Sequence, residues 1–150
     1  MDTAIARCSP LDRAELQRLS TERIEDARAL LDASRWPGAY YLAGYSLECA
    51  LKSCVLARVE RDSGVIFEDK GYSQKCWTHD LEKLVTLADL ADERDNATVA
   101  DPNLAQNWLI AKDWSESSRY QISTQLQAEK LFNAISDNTH GVLQWLKNSW

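Results

Sequence analysis

The most apolar stretch of the chain runs from Tyr40 to Lys52 and reads YYLAGYSLECALK. As a helix it would be apolar on most of its circumference, and helices of that kind are buried. We therefore predict a central helix over about Ala39–Arg61, with Pro37 in its first turn, where a missing N–H does no harm. Because a mid-helix glycine costs about 1 kcal/mol relative to alanine, we expect another helix to approach closely at Gly44.

Two charged residues interrupt this apolar stretch. Glu48 and Lys52 stand four residues apart, in the order that favours an ion pair on a helix. The simpler interpretation is a surface ion pair that contributes about 0.2–0.5 kcal/mol. The alternative is a polar notch in an otherwise buried helix, which would mark a site.

Apolar periodicity continues on both sides of the central helix. From Leu16 to Leu31 apolar residues recur at three- and four-residue steps, which predicts a first helix that begins after Pro10 and ends near Ser34. The segment from Asp62 to Trp77 contains two glycines and mixed polar residues. We predict a long loop there, and loops of that length are often functional.

The second half of the chain alternates short helices with connections. Thr78 is predicted to cap a short helix, and the polar segment Asp92–Ala100 is predicted as loop. Asp101, followed by Pro102, is a strong helix start. Trp114–Tyr120 breaks the pattern and predicts a connection. A last helical region is predicted to begin near Thr124 and to divide into two short helices in tandem.

Composition favours one all-helical domain over residues 1–150. Only five glycines and three prolines occur in 150 residues, and no β-branched alternation is long enough for a strand. We predict an all-α fold, an antiparallel up-and-down bundle of about five helices. No apolar run is long enough to cross a bilayer, and residues 1–10 lack the features of a signal peptide. A cytoplasmic protein without a membrane partner is therefore expected.

The formal net charge is −6 and the pI is about 4.9. A domain of this charge has no broad electrostatic surface for nucleic acid. Any contact with RNA or a nucleotide would have to be local, made by a few basic residues.

The four cysteines are predicted to be free thiols, with Cys49 and Cys54 buried as small apolar residues. They are Cys8, Cys49, Cys54 and Cys76. Cys76 and His79 have a C-x2-H spacing, so a zinc site completed by Cys49 and Cys54 is the alternative. However, a five-residue separation on a helix points two side chains about 140° apart. We predict no metal site and no cofactor.

Three segments together resemble the HEPN domain family. The stretch from Tyr41 to Lys52 resembles the second HEPN helix, in which a small residue, a glutamate and a Leu-Lys pair recur in this order. His79, followed by Asp80 and Leu81, resembles the start of the family's next helix. The pair Arg119-Tyr120 resembles the Arg-Tyr that precedes the last long helix in one HEPN branch. The resemblance spans about residues 19–135.

The resemblance implies a helical bundle that dimerises. HEPN proteins include ribonucleases of toxin–antitoxin, abortive-infection and CRISPR systems, and also non-catalytic domains proposed to bind nucleotides. The ribonuclease branch carries an arginine and a histidine with four to six residues between them, the first of them polar. No histidine follows any arginine at that spacing here. Since histidine is the usual group for proton transfer near neutral pH, its absence argues against that mechanism, and we assign no catalytic residue.

Three functions follow as hypotheses. The first is a non-catalytic HEPN-like module that binds a nucleotide, RNA or another anionic ligand, within a toxin–antitoxin or defence system. Its predicted ligand-binding residues are Arg119, Tyr120, His79, Lys52 and Glu48. For Arg119 the alternative is a structural ion pair with a carboxylate such as Glu48. For Tyr120 it is a core ring, and for His79 a helix-start residue bonded to backbone.

The second hypothesis is a helical, dimeric interaction partner of a nucleotidyltransferase. Its anchors would come from tryptophans outside the apolar stripes, because tryptophan is enriched at interface hot spots. These are Trp36, Trp77, Trp114 and Trp150. The third hypothesis is a HEPN ribonuclease with a degenerate motif, in which Arg119 and His79 are brought together by folding or across a dimer.

Overall fold

A computed structural model describes residues 11–150. Over these residues the chain forms nine α-helices and one 3-10 helix and contains no strand, which confirms the all-α prediction. The helices are α1 (Arg13–Asp32), α2 (Trp36–Arg61), α3 (Val65–Glu68), α4 (Tyr72–Lys75), α5 (Leu81–Leu87), α6 (Ala91–Ala100), α7 (Pro102–Lys112), the 3-10 helix (Glu116–Tyr120), α8 (Gln125–Ser136) and α9 (Val142–Leu146). Cys8 lies outside the described residues.

Helix α2 is the centre of the fold, as its composition predicts. It begins at Trp36, with Pro37 in the first turn, and ends at Arg61. It packs against α1, α5, α8, α9 and the 3-10 helix. Leu47, Ala50 and Leu51 are completely buried. Because neighbours cover α2 on several sides, its sequence is apolar nearly all round rather than striped.

Helices α1 and α2 form a hairpin with a polar contact inside it. Ser34, in the turn between them, has a φ of 59°. Ser20 and Ser46 are completely buried between the two helices. The Ser46 hydroxyl donates to the carbonyl oxygen of Ser20 at 2.8 Å, which satisfies a polar group that would otherwise be costly to bury.

Two segments predicted as loop contain helices. Within Asp62–Trp77, α3 and α4 form because each brings one large residue into the core, Val65 from α3 and Tyr72 from α4. The Tyr72 hydroxyl also donates to the carbonyl oxygen of Leu87 at 2.6 Å. These are tertiary contacts, so neither short helix has a periodic signal in the sequence.

The polar segment Asp92–Ala100 is helical as part of α6, so the loop prediction there is wrong. None of its residues is buried, although Ala97 packs partly against the core. Arg94 secures the helix, because its guanidinium pairs with Glu82 at 2.5 Å and lies 5.6 Å from the centroid of the Trp108 ring. Because a cation over an aromatic ring holds α6 in place, and not a stripe of apolar side chains, the sequence of α6 has little apolar periodicity.

The starts of α7 and α8 are predicted correctly, whereas the cap of α5 is predicted wrongly. The Asp101 carboxylate caps α7 by accepting from the N–H groups of Asn103 and Leu104 at 3.0 and 3.2 Å. Thr124 caps α8 in a capping box with Gln127, and α8 and α9 follow in tandem. At α5, however, the cap is Asp80 rather than Thr78. The Thr78 hydroxyl instead accepts from the N–H of Asp80 at 3.2 Å.

Gly44 has the close neighbour that the sequence predicts, but that neighbour is a side chain and not a helix backbone. A Cβ at this position would lie 2.2 Å from three atoms of the Trp114 ring. Trp114 is itself buried. The indole therefore occupies the space that any larger residue on this side of α2 would fill.

Asp101 joins the start of α7 to the turn before α9. Its Oδ2 lies 2.7 Å from Nδ1 of His140, and Asn107 donates from its side chain to the carbonyl oxygen of His140 at 2.8 Å. The hydrogen bond with Asp101 raises the pKa of His140 above 6.5. The same hydrogen bond lowers the pKa of Asp101 below 3.8. Each ion thus stabilises the other across two elements.

No helix within residues 11–150 is long and apolar enough to cross a membrane.

Gly44→Ala is expected to lower the free energy of unfolding by about 1–3 kcal/mol, because the added methyl group overpacks against a buried ring. The result is diagnostic, since alanine favours a helix by about 1 kcal/mol over glycine in the absence of contacts. Gly64→Ala is the control, because its nearest atoms lie 3.5 Å or more from the added Cβ. Urea denaturation measures both. An unchanged or higher stability of Gly44→Ala would contradict the packing described.

The pairing of Asp101 with His140 makes stability depend on pH. A raised histidine pKa stabilises at pH values below about 6.5 and is lost as pH rises through the folded-state pKa. A lowered aspartate pKa stabilises above about pH 4 and is lost as pH falls through its folded-state pKa. The melting temperature of His140→Gln should therefore differ most from that of the parent between about pH 4 and 6.5. A difference that stays constant into the alkaline range would contradict the ion pair.

Candidate functional site

Four ionisable residues meet where α2, the segment before α5 and the 3-10 helix come together, and we call them the His79 cluster: Glu48, Lys52, His79 and Glu116. Oε1 of Glu48 lies 2.8 Å from Nζ of Lys52 and 2.8 Å from Nδ1 of His79. The other imidazole nitrogen, Nε2, lies 3.0 Å from Oε2 of Glu116. The imidazole therefore bridges a carboxylate of α2 and a carboxylate of the 3-10 helix.

The Glu48–Lys52 pair is not the surface ion pair that the simpler interpretation predicts. The Glu48 side chain is only 3% exposed and that of Lys52 is 22% exposed. The alternative interpretation, a polar notch in a buried helix, is the one that the structure bears out. A buried carboxylate is stable only with close donors, and here Lys52 and His79 supply them.

An open cleft of about 520 Å³ lies beside His79. It is lined by Thr78, His79, Asp80, Leu81, Glu82, Lys112, Asp113, Trp114, Ser115 and Glu116. Four of these residues are carboxylates, against one lysine and the histidine. The net negative charge of this cleft therefore disfavours an anion, and an anionic ligand needs a different surface.

Such a surface is formed by Tyr41, Arg119 and Tyr120, which we call the Arg119 shelf. The Arg119 guanidinium lies 4.9 Å from the centroid of the Tyr120 ring, and that ring is 80% exposed. Tyr120 first, and Tyr41 to a smaller extent, raise the pKa of Arg119 above its ordinary value through charge and hydrogen bonding. Tyr41 in turn stacks on Tyr45, with 6.1 Å between ring centroids.

Arg119 has no carboxylate partner in the part of the chain that the structure describes. Of the ion pairs within residues 11–150, none includes it. The predicted alternative, a pair with Glu48, is wrong, because the contacts of that carboxylate are with Lys52 and His79. Arg119 is exposed, and so is Tyr120, which excludes the alternative of a core ring for Tyr120.

The predicted ligand-binding residues thus form two groups. Glu48, Lys52 and His79 contact one another, whereas Arg119 and Tyr120 belong to the Arg119 shelf. The alternative for His79, a bond to backbone, is not what the structure contains, since carboxylates face both ring nitrogens. The two groups are joined by Glu116, which begins the 3-10 helix that carries Arg119 and Tyr120.

Three residues of the site are missing from the sequence prediction of ligand contacts: Glu116, Tyr41 and Trp114. Glu116 is one of many acidic residues and has no distinguishing neighbour in the sequence. Tyr41 is half-buried in α2 and indistinguishable there from a core residue. Trp114 could have been found from the sequence, because Gly44 predicts a bulky neighbour and Trp114 is a bulky residue shortly after α7.

The three cysteines within residues 11–150 are free, as predicted, and the two buried ones are unreactive. Cys49 and Cys54 are buried, Cys76 is half-buried, and none of the three is in a disulfide. Burial raises the pKa of Cys49 to about 11 and that of Cys54 to about 12. Both thiols are therefore protonated near neutral pH and are not nucleophiles. Within residues 11–150 no group of three or more potential ligands is placed to hold a metal ion.

Of the four tryptophans predicted as interface anchors, only Trp77 is fully exposed, at 80%. It borders an apolar groove of about 490 Å³ together with Leu11, Leu16, Lys52, Val55, Leu56, Ser73 and Cys76. Trp114 is buried against Gly44, while Trp36 and Trp150 are half-buried. Tryptophan is thus used mainly inside this fold.

Comparison of the chain with protein-family models, with curated proteins and with solved structures finds no match. The fold and the site define an all-helical domain with an internal charged cluster. The HEPN resemblance stays a prediction.

Lys52→Met is expected to lower the free energy of unfolding by about 2–4 kcal/mol, because it leaves the buried Glu48 carboxylate with one donor fewer. Adding Glu48→Gln should recover at least half of this loss, since the amide is neutral. Lys83→Met is the control: its side chain is 70% exposed and its ammonium lies 3.8 Å from Asp80, so we expect less than about 1 kcal/mol. Chemical denaturation measures all three. Equal effects of Lys52→Met and Lys83→Met would contradict a buried ion pair.

Proposed function

We propose that this domain is a non-catalytic binding module whose ligand is a nucleotide unit, free or at an RNA end. The Arg119 shelf contacts it. Arginine offers a planar fork of N–H groups that matches a phosphate, and an exposed tyrosine ring is a platform on which a base can stack. The observation that carries the proposal is the exposure of Arg119 and Tyr120 side by side, without a carboxylate paired to Arg119 among the described residues.

The charge of the molecule supports a small, local contact. With a formal net charge of −6, the domain repels a long polyanion at a distance. The cleft beside His79, with its four carboxylates, adds to this repulsion. A single exposed arginine beside an aromatic ring is suited to one phosphate and one base rather than to an extended strand. Lys52, His79 and Glu48 then have a supporting role, since they contact one another.

The proposal includes an HEPN-like bundle, a homodimer and a cytoplasmic setting such as a toxin–antitoxin or defence system. Five of the described α-helices have ten residues or more, namely α1, α2, α6, α7 and α8, and a bundle of about five helices would use these.

A second candidate, a dimeric partner of a nucleotidyltransferase, is supported by exposed apolar residues beside the shelf. Tyr120, Ile122 and Leu126 are 80%, 93% and 60% exposed. They follow one another from the 3-10 helix into α8, and apolar side chains exposed in one region are typical of a protein contact. Native mass spectrometry of the purified protein tests this candidate, because it reports a second copy or a co-purifying protein directly.

Arg119→Ala is expected to weaken binding of a 5′-phosphorylated, fluorescently labelled RNA oligonucleotide by about tenfold, the loss of one charge-assisted hydrogen bond. Its melting temperature should stay near that of the parent, because the side chain is exposed and unpaired among the described residues. Arg28→Ala is the matched control: it removes an exposed arginine of α1 that pairs with Asp32 at 3.5 Å. Fluorescence anisotropy and calorimetry measure the two quantities.

The same assay separates the remaining hypotheses. Competition by AMP that matches competition by the unlabelled oligonucleotide indicates that one nucleotide unit is the ligand. Cleavage of the labelled RNA that depends on both Arg119 and His79 would replace the proposal by the degenerate ribonuclease. No binding by the parent protein, or equal loss in Arg119→Ala and Arg28→Ala, would refute the Arg119 shelf as a binding site.

A further inference from the structure

His79 is the one residue of the His79 cluster that contacts both the buried helix and the 3-10 helix. Its Nδ1 lies 2.8 Å from Glu48 on α2, and its Nε2 lies 3.0 Å from Glu116 on the 3-10 helix. The other partner of Glu48, Lys52, forms an ion pair with Glu48 alone among the described residues. The link between α2 and Glu116 therefore passes through a single imidazole ring.

An imidazole with a carboxylate at each nitrogen has a definite proton requirement. A neutral imidazole carries one N–H, whereas an imidazolium carries two. Only the imidazolium presents an N–H to each carboxylate. After loss of one proton, one nitrogen presents a lone pair to a carboxylate oxygen about 3 Å away, and attraction becomes repulsion at that end.

The difference in burial between the two carboxylates determines which imidazole nitrogen loses its contact. Glu48 is 3% exposed and cannot be hydrated in place, while Glu116 is 44% exposed and can be. Leaving a buried charge without a donor costs far more than returning an exposed one to water. The neutral ring therefore keeps its N–H on Nδ1, toward Glu48, and its contact with Glu116 is lost.

The 3-10 helix packs against α2, but it is short and weakly hydrogen-bonded. It has five residues, no side-chain cap and the weaker hydrogen-bond geometry of its type. The Ser118 hydroxyl, which is buried on its inner side, has no hydrogen-bond partner. Trp114 is buried two residues before its start. The contact of Glu116 with His79 is the only ion pair of the 3-10 helix within the described residues.

We propose that His79 is a protonation-dependent clasp that fastens the 3-10 helix, with Arg119 and Tyr120, to helix α2. The imidazolium closes the clasp through Glu116, and loss of the Nε2 proton opens it. The other charged groups around His79 on the elements packed there are Lys52 of α2, Asp80 and Glu82 at the start of α5, and Lys112 and Asp113 at the end of α7. The clasp is inferred from the contacts of His79 alone. Only its effect on ligand binding rests on the proposed function.

Nuclear magnetic resonance of the uniformly ¹⁵N-labelled full chain tests the clasp without any ligand. The imidazole ¹⁵N shifts of His79 report whether one or both nitrogens carry a proton. Hydrogen exchange at the amides of Ser118 and Gln121, corrected for the intrinsic effect of pH, reports whether the 3-10 helix is closed. Both amides donate to backbone carbonyl oxygens at 3.0 Å within this segment. We expect protection of both amides to fall by about tenfold over the pH interval in which Nε2 loses its proton.

Two variants separate the clasp from other effects of pH. Glu116→Ala removes the exposed carboxylate and leaves the buried contact, so protection at Ser118 and Gln121 should become low and independent of pH. His140→Gln removes the only other histidine of the chain and should leave the pH dependence at these amides unchanged. Protection that is constant across the titration of His79, or that varies equally in Glu116→Ala, would overturn the clasp.

A binding series separates this inference from the proposed function. The probe is the 5′-phosphorylated RNA oligonucleotide, measured at the pH values of the exchange series. If both proposals hold, its affinity falls as the amides lose protection, and Glu116→Ala abolishes that pH dependence. A parent protein that binds no oligonucleotide but has the expected exchange behaviour refutes only the proposed function. Affinity that is constant while the 3-10 helix opens refutes the link between clasp and ligand.

Discussion

The close approach of the Trp114 indole to Gly44 is the constraint on which the arrangement around the site depends. The ring takes the place of a side chain on α2, at a distance that no Cβ would permit. Because Trp114 lies two residues before the 3-10 helix, this contact determines where that helix begins. Glu116 follows two residues later and meets His79. One glycine in the most buried helix therefore positions a segment more than 70 residues away in the sequence.

A second constraint comes from the carboxylate buried in the same helix. Glu48 lies one turn after Gly44, and burying a charge at that depth is unfavourable without donors. Lys52 supplies one donor from within α2, and His79 supplies another from the start of α5. An apolar residue at position 48 would serve stability at least as well. The presence of a network of ionisable groups in the centre of the fold is thus most simply understood through the elements that it holds in place.

The electrostatics of the molecule divide the surface near the site into two parts with opposite preferences. The cleft beside His79 is lined by four carboxylates and disfavours anions. The Arg119 shelf presents a cation stacked on an exposed aromatic ring. Both parts are attached to the same short 3-10 helix. A change in its position would therefore alter the cation and its acidic neighbour Glu116 together, which is why the charge state of one imidazole matters to both.

The helical class, the central helix and the starts of α7 and α8 could be predicted from the sequence, because these features follow from local rules. Apolar side chains around a whole helix require burial, and Asp101 and Thr124 satisfy the free N–H groups of the helices that they begin. Local rules failed at α3, α4 and α6, where Val65, Tyr72 and Arg94 gain their stability from residues distant in the chain. The same holds for the site. Glu48, Lys52, His79 and Arg119 could be picked out from the sequence as candidate site residues. The burial of Glu48, the contact of Glu116 with His79 and the separation of Arg119 from both depend on which helices pack together, so they could not be predicted from local rules.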